Sequence, residues 1–205
     1  MQQSHLNEIL KIYESDIVNF FYQDRLEERN QELKTVQQIQ KFIDNNINFY
    51  DRTLVSGHCT GSALITDPSF SQVVLTLHRK LGKWIQLGGH VEDDPSMYAA
   101  ALREAKEESG LVDLEAVKIL DSNVQFVPFD IDIHLIPETL GQKSHFHYDF
   151  RYLFVSAKTT LSCSTESDDL RWLSLNEAKK LSQECSMLRQ FNKLEIIRNT
   201  YTAGS

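Results

Sequence analysis

The stretch Gly88-Gly89-His90-Val91-Glu92, followed by Arg103-Glu104-Ala105-Lys106-Glu107-Glu108-Ser109-Gly110-Leu111, decides how this chain is read. Glu104, Glu107 and Glu108 stand at i, i+3 and i+4. A helix turns once in about 3.6 residues, so these side chains share one face. Like charges at that spacing repel. Three carboxylates held together therefore call for a cation, and an all-oxygen donor set suits hard ions such as Mg²⁺ or Mn²⁺. A divalent ion on a carboxylate helix beside a glycine turn points to phosphate chemistry. The competing reading is a solvated glutamate-rich helix face.

The helix itself is predicted over 95–109. Asp94 is a suitable N-cap, Pro95 a suitable first residue and Gly110 a suitable C-terminal stop. Tyr98, Leu102 and Ala105 form its expected core face.

Gly89, the run from Arg103 to Glu108, Gly110 and Leu111 resemble the Nudix box, G-x5-E-x7-R-E-U-x-E-E-x-G-U, where U is a bulky aliphatic residue. The match runs without a gap over 23 residues. Two positions depart from it: Pro95 stands where the box has its first glutamate, and Ala105 fills the first U. The resemblance, extending over about residues 53–185, implies an α/β fold, a Nudix-like α/β/α sandwich with a mixed sheet. It implies that Glu104, Glu107 and Glu108 are the metal ligands, that Arg103 orients them, and that Mg²⁺ or Mn²⁺ is the cofactor. An additional family carboxylate, ahead of a short Trp-bearing strand, falls on Glu166, with Asp168 and Asp169 as rivals. Glu107, Glu108 and Glu166 are thus the candidates for the base that deprotonates water.

The expected reaction is hydrolysis of a diphosphate bond in a nucleoside diphosphate linked to another group. Two alternatives stay open: cleavage of a nucleoside triphosphate to release pyrophosphate, and a non-catalytic nucleotide-binding module. Pro95 keeps the last one in play.

Composition fits a small enzyme. The chain has 205 residues, 41% of them hydrophobic, and a net charge of −8. That acidic balance argues against nucleic acid and anionic membranes as partners and leaves a nucleotide-derived small molecule. No apolar run approaches the roughly 18 residues that a spanning helix needs. Met1–Leu10 has neither a basic stretch nor a continuous apolar one, so no signal peptide is expected. Cys59, Cys163 and Cys185 are widely spaced and read as reduced thiols of a cytoplasmic protein.

The pattern changes near residue 52, giving a helical N-terminal extension over 1–52 and the hydrolase domain over 53–205. In the extension, Leu6, Ile9, Leu10, Tyr13, Ile17 and Phe20 recur at helical spacing. Thr35 and Gln38 offer a capping box for a second helix ending near Asn45. The extension is expected to pack on the main domain or on a second subunit, leaving a homodimer open, or else to shape the substrate pocket.

Strands are expected at 62–66 and 73–77 around Asp67-Pro68-Ser69, then at 84–87, 116–120, 129–136, 150–155 and 170–173. Ser174 and Glu177 form a capping box for a helix over 175–181, and a last helix covers 184–200.

Further candidates line the substrate. Gly88 and Gly89 allow close backbone approach. Arg79 and Lys80 form a basic cluster with His78 and Lys83, read either as a phosphate clamp or as a solvated turn. Trp84 and Tyr148 could stack on a base or belong to the core. In His145-Phe146-His147-Tyr148-Asp149, alternation sends His145, His147 and Asp149 to one strand face. Those three bind metal, orient substrate, or form an exposed polar edge. Asp130 and Asp132 are expected on a solvated face.

Overall fold

The computed structural model describes residues 3–120, 126–138, 141, 143–165 and 167–203. The chain opens with α1 (Gln3–Ile12), a π-helical turn (Tyr13–Ile17) and α2 (Val18–Tyr22), then α3 (Leu26–Asn45). Strands β1 (Gly57–Thr66), β2 (Gln72–His78), β3 (Lys83–Ile85) and β4 (Leu87–His90) lead to α4 (Met97–Ser109). Then come β5 (Glu115–Ala116), β6 (Asp130–Ile136), β7 (His145–Val155), β8 (Ser167–Ser174), α5 (Leu175–Leu181) and α6 (Cys185–Ala203). The strands form a mixed sheet of the α/β class, ordered β3-β2-β1-β7-β5, with β4 on β1, β6 on β7 and β8 on β2.

Two compact units partition the residues. The first comprises Met1–Gly61, Gly89–Ala100 and Lys118–Arg151. In it, α3 packs on α1, α2 and β6. Leu6, Leu10, Tyr13, Ile39 and Ile43 are fully or almost fully buried. Each side chain of this kind contributes about 1.5–3 kcal/mol on burial. That outweighs the weak helix propensity of the β-branched residues among them. Phe42 of α3 stacks on Tyr148 of β7, ring centroids 3.8 Å apart. Gly57 opens β1 at φ +129°, where a Cβ would meet the Phe146 carbonyl oxygen at 2.1 Å.

The second unit comprises Ser62–Gly88, Ala101–Val117 and Tyr152–Ser205. β2 runs antiparallel to β8 from Gln72↔Ser174 to Leu77↔Asp169, with a bulge before His78↔Ser167. Leu64, Leu75, Phe154, Phe191 and Leu194 are fully buried there. Ser174 caps α5 in the expected box with Glu177. Gly110 ends α4 at φ +73°, donating its N–H to the Lys106 carbonyl at 2.9 Å.

Several local expectations are corrected. α4 begins at Met97, and its N-terminal cap is Ser96, whose Oγ accepts the Ala99 N–H at 3.1 Å. Pro95 therefore precedes the helix. Thr35 does not start a helix: α3 begins at Leu26, and the Thr35 hydroxyl donates to the Gln31 carbonyl within it. Glu27 and Glu28 sit in that first turn, where carboxylates suit the helix dipole. β1 begins at Gly57, five residues earlier than expected. It is buried along its whole length, so no polar alternation marks it. β5 spans two residues and stops short of the expected run to residue 120. Among the described residues, no helix is long and apolar enough to cross a membrane.

Candidate active site

α4 carries the glutamates as its spacing predicts, but they sit at different depths. Glu108 is buried, on the same stripe as the fully buried Ala101 and Ala105. Its Oε2 accepts the Gly88 N–H at 3.0 Å. Gly88 takes φ +148°, a backbone conformation favoured only by glycine. Glu104 is mostly buried and Glu107 exposed. The Arg103 guanidinium bridges these two, 2.9 Å from Glu104 Oε1 and 3.1 Å from Glu107 Oε2. Arg103 thus supplies the positive charge that the carboxylate face requires. The three glutamates lie on α4 at i, i+3 and i+4. Their all-oxygen chemistry fits Mg²⁺ or Mn²⁺, with two carboxylates now balanced by an arginine. Gly89 lies in β4.

The basic cluster is committed to the fold. Arg79 donates to Asp168 Oδ1 at 2.7 Å, to the Thr165 carbonyl at 2.5 Å and to the Ser167 carbonyl at 3.1 Å. It fastens the entry to β8 and leaves Lys80 beside it, exposed. Lys83 pairs with Glu184. The Trp84 ring lies under the Arg171 guanidinium, 5.4 Å away, and Arg171 pairs with Asp169. The two rivals for the base, Asp168 and Asp169, are therefore each paired with an arginine. Glu166 lies outside the described residues.

In the first unit His145 and His147 come together, with Nε2 atoms 3.3 Å apart. Asp149 does not join them. Its carboxylate accepts from Arg151 Nε at 2.8 Å and from the Thr60 hydroxyl at 2.9 Å. Arg151 is buried and also pairs with Asp130 and Asp132. Asp130 is fully buried and Asp132 largely so, which overturns the expectation of a solvated face. A buried arginine holds these carboxylates out of water.

The third histidine of the group is His58 of β1. His58, His145 and His147 each offer a ring nitrogen, all within 4.8 Å of one another. The His58 ring is fully buried, and among the described residues neither of its nitrogens has a hydrogen-bond partner. Burial, then the neighbouring His90 and His145, lower its pKa from the usual 6.5 to about 4. Burial, then His134 and other histidines, lower that of His147 to about 2. Both rings are neutral near pH 7. The sequence signal for His58 was faint: a histidine within Gly57-His58-Cys59-Thr60, far along the chain from its partners.

With this geometry in place, the family-level comparison is decisive. The family model described as NUDIX domain matches residues 60–191, more than half of the chain. The chain belongs to the NUDIX family. The stretch from Gly88 to Leu111 falls inside the matched region.

Among its relatives, a "Probable DHNTP pyrophosphohydrolase" of Lactococcus lactis subsp. cremoris is 40% identical over 65 residues. That alignment spans 32% of this chain and 35% of the relative, about a third of its length. A NUDIX-family hydrolase from Clostridium perfringens superposes with a TM-score of 0.54 at 28% identity, covering 68% of this chain and 97% of that one. The E. coli dihydroneopterin triphosphate pyrophosphohydrolase shares the fold, with a TM-score of 0.51 at 18% identity over 68% of this chain and 94% of that one.

Proposed function

We propose that this NUDIX hydrolase cleaves a diphosphate bond in a nucleoside diphosphate linked to another group, with Mg²⁺ or Mn²⁺ as cofactor. The observation carrying this reading is the arrangement on α4: a buried Glu108 tied to the Gly88 amide, beside Glu104 and Glu107 joined through Arg103.

Glu104, Glu107 and Glu108 would hold the ion, which supplies Lewis acidity and positive charge to a phosphoric anhydride. Glu107 is the base in this scheme, taking the proton of the water that attacks phosphorus. Its exposed carboxylate can reach solvent, whereas one oxygen of Glu108 already accepts a backbone amide. Arg103 holds Glu104 and Glu107 in register from the same helix. The glycine turn keeps side chains away from the phosphates. Lys80, exposed beside the tethered Arg79, is a candidate cation for a phosphate oxygen.

A second reading, release of pyrophosphate from a triphosphate, is favoured by the 40% match to a protein named as a pyrophosphohydrolase of DHNTP. One experiment separates the two. Nucleoside diphosphate sugars, dinucleoside polyphosphates and triphosphates are incubated with Mg²⁺, Mn²⁺ or chelator, with Glu107→Gln in parallel. Nucleoside monophosphate plus a phosphorylated second group supports the first reading, and pyrophosphate supports the second. Turnover that ignores chelator, or survives unchanged in Glu107→Gln, overturns the metal-carboxylate scheme.

A further inference from the structure

The histidines of the first unit form a site that the phosphate chemistry does not use. Six of the chain's seven histidines lie in that unit, and all of these but His5 gather around one point. His58 is 5.0 Å from His90, 5.1 Å from His145 and 4.7 Å from His147, measured between ring centroids. His134 is 5.4 Å from His147.

A buried imidazole with two unsatisfied nitrogens is costly, because burial strips its water without replacing the hydrogen bonds. His58 is such a ring. His145 shows which nitrogen faces the centre. Its Nδ1 lies 2.9 Å from the Lys143 carbonyl oxygen. A carbonyl only accepts, so Nδ1 carries the proton, and in the neutral imidazole Nε2 then keeps the lone pair. A metal-binding histidine is usually oriented in this way, with its other ring nitrogen donating to a carbonyl or carboxylate. Two nitrogens bound to one tetrahedral Zn²⁺ at about 2.0–2.1 Å stand about 3.3–3.4 Å apart. The two Nε2 atoms of His145 and His147 are 3.3 Å apart.

We propose that His58, His145 and His147 bind one divalent transition-metal ion of the zinc class. Three imidazoles select zinc, cobalt, nickel or copper over magnesium, which prefers oxygen. The site is therefore chemically separate from the glutamates of α4. Such an ion would clamp β1 to β7, satisfy a His58 nitrogen and leave a fourth position for water or a further histidine.

Full-length protein, stripped with chelator, is titrated with Co²⁺ and followed by visible absorption. Uptake of one ion with the intense bands of a tetrahedral site is expected. Zn²⁺ displaces it, and excess Mg²⁺ does not. His147→Gln lowers the affinity by at least about a hundredfold, since changing a mere supporting residue already costs 10–100-fold. His78→Gln, outside the cluster, leaves it unchanged. His58 is fully buried, so the test uses His147→Gln and takes thermal unfolding as its second readout: Zn²⁺ raises the midpoint of the wild type but not of His147→Gln. Glu107→Gln retains the Co²⁺ spectrum, which separates failure here from failure of the hydrolase reading. No tetrahedral spectrum, or uptake and thermal shift unaltered by His147→Gln, overturns the proposal.

Discussion

Glu108 Oε2 accepts the Gly88 N–H at 3.0 Å, so this side chain joins the carboxylate helix to the glycine turn. Glu107, one position earlier, is exposed and pairs with Arg103 at 3.1 Å. Glu108→Ala should therefore cost about 1–3 kcal/mol, the usual penalty for leaving a part-buried donor unsatisfied. Glu107→Ala should stay within about 0.5 kcal/mol of wild type. Urea unfolding of the two variants checks the split; equal losses would contradict it.

Arg151 faces three carboxylates, Asp130, Asp132 and Asp149, from a buried position. Arg151→Met should destabilise by about 3–5 kcal/mol, because it leaves buried charge uncompensated. Adding Asp130→Asn should recover part of that loss. Denaturant midpoints of the single and double variants measure both effects, and a loss below about 1 kcal/mol would show that the network is not needed.

Gly57 combines φ +129° with a 2.1 Å approach of any added Cβ to the Phe146 carbonyl oxygen. Gly57→Ala should cost at least about 1–3 kcal/mol from backbone strain alone. By contrast, Gly82→Ala meets open space, although at φ +61°, and should cost less. A thermal-shift comparison ranks the pair.

The Ser174–Glu177 box predicts a pH effect. The Ser174 hydroxyl, then the Ser174 amide, hold the Glu177 carboxyl below its usual 4.5. A lowered carboxyl pKa means that its stabilisation is complete above pH 4.5 and fades as pH falls through the folded value. Ser174→Ala should cost about 1 kcal/mol at pH 7. The gap between variant and wild type should narrow in acid below pH 4.5. A gap that stays constant down to pH 3 would refute the box as its source.

What could be read in advance was what repeats locally. The three glutamates, the α5 box and the β2 strand each lie within one turn or one strand, so spacing alone locates them. The start of α3 is hidden because Asp24–Arg29 is charged at every position but Leu26 and shows no apolar periodicity, although glutamate and arginine favour helix. Asp94-Pro95 satisfies the capping rule two residues before Ser96, so the local sequence does not single out Ser96 as the cap. The burial of Asp130 depends on Arg151, and the place of His58 depends on strand pairing. Neither relationship is local, so no window along the chain contains it. The family resemblance located the glutamates but is silent about the histidines.

Cys59 lies next to His58 on β1, fully buried, whereas Cys163 and Cys185 are exposed. Burial, then the Asp149 carboxylate, push the Cys59 thiol well above its usual range. An alkylating reagent should thus mark two thiols quickly and the third only when β1 separates from its neighbours. The chain carries its own stopwatch: the lag before the third label counts how often this strand lets go, with no dye or engineered residue required.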